Sequence, residues 1–216
     1  MMARSRVRVL TIRGTGRRRT PRCLDGHVND TVTRHDTDAD GLVRVRPRED
    51  ADLADCVRLL AEVHGRDGYP LIWPERPVDW LVGSAPLAAW VALLDDRGED
   101  HIVGHVALAR CGPGDVAPDL LRAREAGPDE RDPRPVVLGR LAVDPAARGR
   151  GVGARLLTGA VEYARAHGLR PVLDVVDSDR SAVALYERLG WTPLGSAEQV
   201  WGAGQAVTIH CYAAPA

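Results

Sequence analysis

Glycine and arginine alternate at residues 148–154, where the chain reads Arg-Gly-Arg-Gly-Val-Gly-Ala. An apolar run ends at Val143 before this segment, and a helical pattern of apolar residues begins at Val152. Glycine lets the backbone approach a ligand closely, and the first amides of a helix have no intrahelical acceptor, so such a loop suits an anion. Arg148 and Arg150 add guanidinium donors that match phosphate oxygens. The segment therefore predicts a site for the pyrophosphate of a nucleotide-like ligand.

Two common nucleotide-binding loops fit this segment poorly. Gly149, Gly151 and Ala154 do satisfy the spacing of the dinucleotide-binding fingerprint. Asp174 even follows at the distance expected of the ribose-binding acid. In that fingerprint, however, the first glycine directly follows its strand, whereas residues 144–148 intervene here. A phosphate-loop NTPase is excluded because its Gly-Lys-Ser/Thr sequence is absent, as is every lysine.

The rest of the pattern predicts the elements that would position this loop. Alternating apolar residues predict strands at 42–47, 87–94, 102–109, 136–143, 171–176, 194–201 and 206–212. Apolar residues three or four apart predict helices at 50–64, 78–82, 152–167 and 181–189. The charged, proline-rich segment 111–135 predicts an insertion or flexible loop with one helical turn near 116–124. This order predicts an α/β fold, a mixed sheet with helices on both faces.

A second motif follows the glycine loop at Ala182, Tyr186, Gly190 and Trp191. With Arg148-x-x-Gly151-x-Gly153, it resembles the GCN5-related N-acetyltransferase (GNAT) superfamily, whose tail pattern is Ala-x-x-x-Tyr-x-x-x-Gly-Phe. The resemblance covers residues 42–212 and is strongest over 138–191. It implies the GNAT fold of acyl-CoA N-acyltransferases, a mixed and mostly antiparallel sheet flanked by helices.

The resemblance also implies the chemistry: acetyl-CoA as co-substrate, an amine as acceptor, no metal ion, and direct attack in a ternary complex. Strand 141–143 would pair with the pantetheine arm, and one of its amides would polarise the thioester carbonyl. Asp179 stands where the family commonly has asparagine; it lacks the amide donor and could instead cap a helix. The coenzyme-binding positions implied are Leu141, Ala142, Val143, Arg148, Gly149, Arg150, Gly151, Val152, Gly153, Ala154 and Asp179.

Tyr186 lies where the family often places the acid that protonates the departing thiolate, and a phenol is protonated at neutral pH. The general base stays open, because Gly139 and Arg140 stand where the family often has a glutamate. His64, His101 and His105 are candidates by residue type, and an ordered water is another. The alternative function is a non-catalytic CoA-binding or sensory module of the same fold.

A small amine is favoured over a protein terminus as acceptor, since the aromatic segment 69–80 and the segment 111–135 could enclose a pocket. The net charge of −1 gives no reason to expect nucleic acid or a membrane as partner. No apolar run approaches the roughly 18 residues of a membrane span, and no secretory h-region is present, which predicts a cytoplasmic protein. The four cysteines lack metal-site spacing.

The first 41 residues differ in composition from the remainder. Eight arginines and no acidic residue precede Leu24, and an acid- and threonine-rich stretch follows. We expect a disordered arginine-rich leader over 1–41 and a single acetyltransferase domain over 42–216. The C-terminal hairpin of that domain could pair across a homodimer.

Overall fold

A computed structural model of the protein describes residues 8–10, 43–96, 98–125, 134–201 and 204–215. The strands are β1 Arg8–Leu10, β2 Arg44–Pro47, β3 Pro86–Asp96, β4 Glu99–Arg110, β5 Pro135–Val143, β6 Arg170–Val176, β7 Thr192–Trp201 and β8 Gln205–Ala213. The helices are α1 Leu53–Asp67, α2 Pro77–Val82, α3 Val116–Glu125, α4 Val152–Ala166 and α5 Arg180–Arg188. Short 3-10 helices lie at Asp50–Asp52 and Pro145–Ala147.

The strands form one sheet in the order β1-β7-β8-β6-β5-β4-β3-β2, which confirms the predicted mixed α/β fold. Among the described strands only β5 and β6 pair in parallel, and the connection between them contains α4. Helices α4 and α5 pack on one face of the sheet, where the largest cluster of buried residues lies. Helices α1 to α3 cover the opposite face through two smaller clusters. The parallel pair therefore lies in the middle of the sheet, between two helical layers.

A β-bulge in β5 changes which side of the sheet its residues face. His105 of β4 pairs with Ala142, and Ala107 pairs with Gly139, so two residues of β5 oppose one of β4. Leu138 packs on the α4 face before the bulge, whereas Ala142 packs against α1 on the opposite face. Without the extra residue the period of two would put both on the same face.

Helix α4 lies unusually close to the sheet because β4 carries a glycine beneath it. A Cβ added at Gly104 would lie 2.8 Å from side-chain atoms of both Val152 and Leu156. Real Cβ contacts are not that short, so only glycine allows the first turn of α4 to pack at this depth. This contact fixes the height of the α4 N-terminus above β4 and β5.

Within segment 111–135, the helical turn predicted near 116–124 is a ten-residue helix, α3, and residues 126–133 lie outside the described ranges. Ala117 and Leu121 are buried against strands β6, β7 and β8. Of the predicted leader, the structure describes Arg8–Leu10, which pair antiparallel with β7, and the remaining residues of 1–41 lie outside the described ranges. No helix in the described part of the chain is long and apolar enough to cross a membrane.

Candidate functional site

The parallel strands β5 and β6 separate after a short stretch of pairing. Residues Pro135–Val137 pair with Arg170–Val172, and no pair joins the two strands beyond that point. β5 continues along β4 to Val143, while β6 continues along β8 to Val176. Residues 141–143 are therefore separated from the neighbouring strand β6, which leaves a wedge-shaped gap with unpaired backbone on one edge of each strand.

The glycine loop lies at the wide end of this gap, directly before α4. Gly149 and Gly151 both adopt left-handed backbone, with φ of +83° and +75°, which favours glycine. Gly151 is the N-cap of α4 and contributes no side-chain cap, so the amides of residues 152–154 keep their donors free of intrahelical acceptors. A Cβ at Gly151 would meet no atom within 4 Å, so the loop borders open space at this residue.

Gly153 has a different role from the two loop glycines. A Cβ at this position would lie 3.1 Å from Cδ2 of Leu185 and 3.6 Å from Cγ2 of Val143. The missing side chain allows the first turn of α4 to pack against both α5 and the end of β5. The loop, the splayed strand and the second sequence motif are therefore held together by close packing.

The two loop arginines are both exposed. Arg148 forms an ion pair with Asp67 at the end of α1, and its Nη2 also lies 3.4 Å from the carbonyl oxygen of Val143. The Asp67 carboxylate raises the pKa of Arg148, and the guanidinium in turn lowers the pKa of Asp67. Arg148 thus lies beside the backbone donors while engaged with an acid that a phosphate could replace.

Tyr186 of α5 is buried, and its ring centroid lies 5.7 Å from that of Trp191 and 6.2 Å from that of Tyr212. Burial raises the pKa of its hydroxyl well above the usual range, and negative charge on Tyr69, Asp179 and Asp174 would raise it further. The phenol is therefore fully protonated at neutral pH, as a proton donor requires. The same packing would also serve an ordinary core tyrosine.

Asp179 is the N-cap of α5. Its Oδ1 accepts a hydrogen bond from the amide of Ala182 at 3.0 Å and another from the hydroxyl of Ser181 at 2.8 Å. The alternative prediction of a helix cap is thus confirmed. Both of these hydrogen bonds use Oδ1, so the cap leaves the second carboxylate oxygen available. Contact between Asp179 and a coenzyme stays a prediction.

The α1 face of the gap carries Tyr69, from the loop between α1 and α2, together with Arg140 of β5. The Tyr69 ring packs edge-on to Trp80 at 6.1 Å, and burial raises the pKa of its hydroxyl. The Arg140 guanidinium donates from Nε to the carbonyl of Trp80, with its carbon 5.3 Å from the centre of that ring. The aromatic segment predicted to line a pocket is therefore attached to the strand that borders the gap.

Asp174 of β6 is a polar residue whose place in the site was not predicted. It lies two residues beyond the last pair between β5 and β6, and it is exposed although Leu173 and Val175 beside it are buried. Although part of the side chain contacts solvent, burial of the carboxyl among surrounding protein atoms raises its pKa, and the charge of Asp115 raises it further. A carboxylate that is open to solvent and has a raised pKa suits a proton acceptor.

The three histidines proposed by residue type occupy other environments. His64 has Nδ1 at 2.9 Å from the carbonyl oxygen of Pro70 and packs against Trp73. His101 is exposed in β4, beyond the last residue that pairs with β5. His105 is fully buried, and burial lowers its pKa to about 4, so it is neutral at physiological pH.

The donor set of the site suits an anion and an extended acyl chain. Among the described residues, no three His, Cys, Asp or Glu side chains are grouped to bind a metal. Burial raises the pKa of the Cys56 thiol to about 11 and that of Cys211 to about 12, so both remain protonated thiols. Free helix amides, open space at Gly151 and an unpaired strand edge fit a diphosphate followed by an amide-containing arm.

A family model for the acetyltransferase (GNAT) family matches residues 54–191. This chain belongs to the GNAT family. The matched residues include the whole of the gap, the glycine loop and the Tyr186 motif. The predicted family is thereby confirmed, and the chain is a GNAT acetyltransferase. No curated protein matches the chain in sequence.

Solved structures show the same GNAT fold at low sequence identity. Arabidopsis thaliana NAA60 in complex with acetyl-CoA has 21% identity and a TM-score of 0.60, with 80% of this chain and 97% of that chain covered. The ribosomal-protein-S18-alanine N-acetyltransferase of Escherichia coli has 18% identity and a TM-score of 0.55, covering 81% and 94%. A GNAT protein of Kribbella flavida has 22% identity and a TM-score of 0.55, covering 81% and 98%.

Proposed function

We propose that this GNAT protein transfers the acetyl group of acetyl-CoA directly to a primary amine of a small molecule. The observation that carries the proposal is the gap between β5 and β6, which has free helix amides at one end and Tyr186, Tyr69 and Asp174 around it. An anion site and proton-transfer groups thus border one opening. Acetyl-CoA supplies the activated acetyl thioester, and NAA60, a neighbour in fold, is known in complex with it.

Different residues of the chain would bind different parts of acetyl-CoA. The amides of residues 152–154, with Arg148, would hold the pyrophosphate, and the free edge of β5 would pair with the pantetheine arm. An amide of that edge would donate to the thioester oxygen, where negative charge develops during attack. These contacts would fix the acetyl carbon in the gap, within reach of side chains on its α1 face.

Two side chains would move the protons. The neutral amine nitrogen forms a bond to the acetyl carbon while the bond from that carbon to sulfur breaks. A proton passes from the nitrogen to Asp174, and Tyr186 supplies a proton to the departing sulfur. Both groups then return to their starting states by exchange with solvent. The raised pKa of Asp174 makes it a stronger proton acceptor than an ordinary aspartate, and the raised pKa of Tyr186 keeps it protonated beforehand.

The preference for a small acceptor is supported by what surrounds the gap. Tyr69 and Trp80 stand on one side, and α3 packs on the same face of the sheet with Asp115 immediately before its first residue. Beside the larger effect of burial, the negative charge of Asp115 acts to raise the pKa of both Asp174 and Arg140. Carboxylates at this position would attract an ammonium group to the gap.

The experiment that tests this function is thiol release from acetyl-CoA in the presence of a panel of small amines, short peptides and matched alcohols. We expect amine-dependent release with wild-type protein and much slower release with Tyr186→Phe. Tight acetyl-CoA binding without release for any acceptor would favour the alternative, a CoA-binding or sensory module. Release with peptides alone would overturn the small-molecule assignment.

A further inference from the structure

The bulge in β5 is built around a residue with strained backbone. Arg140 has a φ of +56°, in the left-handed region that non-glycine residues rarely adopt. Such a conformation is unfavourable for a residue with a side chain and persists only where the surroundings hold it. Because Arg140 lies where β5 leaves β6, whatever holds its backbone also sets the direction of the next peptide group in the gap.

His105 of β4 holds this backbone by a hydrogen bond. Its Nδ1 lies 3.0 Å from the carbonyl oxygen of Arg140, and its Nε2 lies 3.3 Å from Nη1 of Arg48. A carbonyl only accepts and a guanidinium only donates, so the neutral ring carries its proton on Nδ1 and accepts at Nε2. The ring is completely buried, and its low pKa of about 4 keeps it in this neutral form. The imidazole thus connects Arg48 to the bulge at Arg140.

Because the peptide bond is planar, the contact between His105 and the Arg140 carbonyl also sets the direction of the next N–H group. The carbonyl of Arg140 and the N–H of Leu141 belong to one trans peptide group, in which they point in opposite directions. The carbonyl points to His105 on β4, so the N–H of Leu141 points away from β4. In the sheet order that is the side from which β6 has separated.

We propose that His105 is a positioning residue that orients the Leu141 N–H as the donor to the thioester oxygen. The proposal rests on the acetyl transfer described above and assigns a task to a histidine that does not itself touch the substrate. A buried carbonyl that lost the His105 donor would turn toward another partner, because an unsatisfied buried acceptor is costly. Its peptide plane would rotate, and the Leu141 N–H would turn out of the gap.

The test compares two substitutions of His105, one that keeps a hydrogen-bond donor and one that removes it. His105→Asn places an amide near the position of Nδ1, whereas His105→Leu fills similar space without any donor. Removing an oxyanion donor lowers kcat by a factor of roughly 100 to 1,000, so we expect at least about a tenfold loss for His105→Leu. We expect kcat of His105→Asn to stay within about threefold of wild type and KM for acetyl-CoA to change little in either.

Two further variants separate positioning from general destabilisation. Ser196→Ala removes a buried hydroxyl bonded to His210, in strands away from the gap, and should lower stability without changing kcat. Arg48→Met removes the donor to Nε2 and should lower kcat less than His105→Leu does. Unchanged kcat in His105→Leu, or equal losses in the Asn and Leu variants, would overturn the proposal.

Failure of the proposed function would be seen separately, as absence of transfer by the wild-type protein. Amide chemical shifts of residues 139–143, measured by NMR, then decide the positioning role without turnover. We expect the Leu141 amide resonance to move further from its wild-type position in His105→Leu than in His105→Asn, with wild-type positions elsewhere in the sheet. Equal displacement of this resonance in the two folded variants would show that His105 does not hold this peptide.

Discussion

Arg148 and Asp67 form an ion pair that joins the glycine loop to the last residue of α1, with Nη1 also 3.3 Å from Oδ1. Both side chains are partly exposed, at 44% and 34%. Exposed pairs of this kind contribute only about 0 to 1 kcal/mol. A diphosphate bound at the α4 N-terminus could therefore take over the Arg148 guanidinium at little cost.

The first prediction concerns this competition. Replacing Asp67 by asparagine frees Arg148, so acetyl-CoA should bind up to about fivefold more tightly, the equivalent of the pair's roughly 1 kcal/mol. Isothermal titration calorimetry measures the effect, with Asp55→Asn as the control because Asp55 pairs with Arg58 on the same helix. Weaker binding in Asp67→Asn would mean that the ion pair shapes the loop for the ligand.

The second prediction compares two substitutions at Gly151 that have similar shape and differ in charge. Asparagine and aspartate are the side chains that best tolerate the left-handed backbone of Gly151, and both have open space there. A carboxylate about 4 Å from a phosphate charge costs roughly 4 kcal/mol near a protein surface. Gly151→Asp should therefore bind acetyl-CoA at least about tenfold more weakly than Gly151→Asn. Equal affinities of the two variants would show that the pyrophosphate binds elsewhere.

The third prediction concerns the proton donor. Tyr186→Phe keeps the ring among Trp191 and Tyr212 but removes the hydroxyl. General acid catalysis contributes roughly 100 to 10,000-fold, so kcat should fall by at least the lower factor while acetyl-CoA affinity stays near wild type. Tyr212→Phe, which loses a contact to Glu187, is the matched control. If both variants kept wild-type kcat, Tyr186 would be only a packing residue.

The fourth prediction concerns the proton acceptor. Only the ionised carboxylate of Asp174 can accept a proton, so kcat/KM of the wild type should rise with pH through its raised pKa. Asp174→Asn should lower kcat/KM by roughly 100-fold or more and lose this acidic limb. Asp119→Asn, on the exposed side of α3, should keep the wild-type profile. If Asp174→Asn kept the acidic limb of the kcat/KM pH profile, the general base would be another group.

The fifth prediction concerns stability at acid pH. Burial, with the charges of Arg48 and Arg140 beside it, lowers the pKa of His105 from its usual 6.5 to about 4. Between these values the unfolded chain binds the proton and the folded chain does not. The free energy of unfolding should thus fall as pH drops from 6.5 to 4, by roughly 3 kcal/mol in total. Urea titrations should find a smaller fall in His105→Asn, and an equal fall would contradict the buried neutral state.

Most of the fold follows from local periodicity. The apolar residues of the strands and helices around the glycine loop recur every two or every 3.6 residues. Glycines with positive φ follow helices α4 and α5, at Gly168 and Gly190. Helix α3 was predicted only as a turn because Pro118 and many charges interrupt its pattern. A proline in the first turn of a helix is tolerated, since its amide has no intrahelical partner.

The coenzyme half of the site could be predicted from sequence, whereas the acceptor half could not. The glycine loop and the α4 N-terminus lie together in the chain, so spacing alone identifies them. Asp174, Tyr69 and Arg140 meet only because β5 and β6 separate and the α1–α2 loop folds over them. In the sequence, His105 is one polar residue in an apolar strand. Its contact with Arg140 depends on a bulge that no local sequence pattern indicates.

Direct detection of both products is the closest test of acetyl transfer from acetyl-CoA to an amine. Purified full-length protein, acetyl-CoA and each amine of the panel would be incubated, and the mixture analysed by mass spectrometry for acetylated amine and free CoA. We expect equal amounts of the two products with at least one small amine, and neither product without protein. Bound acetyl-CoA with no acetylated amine, or free CoA without any acetylated product, would contradict this expectation.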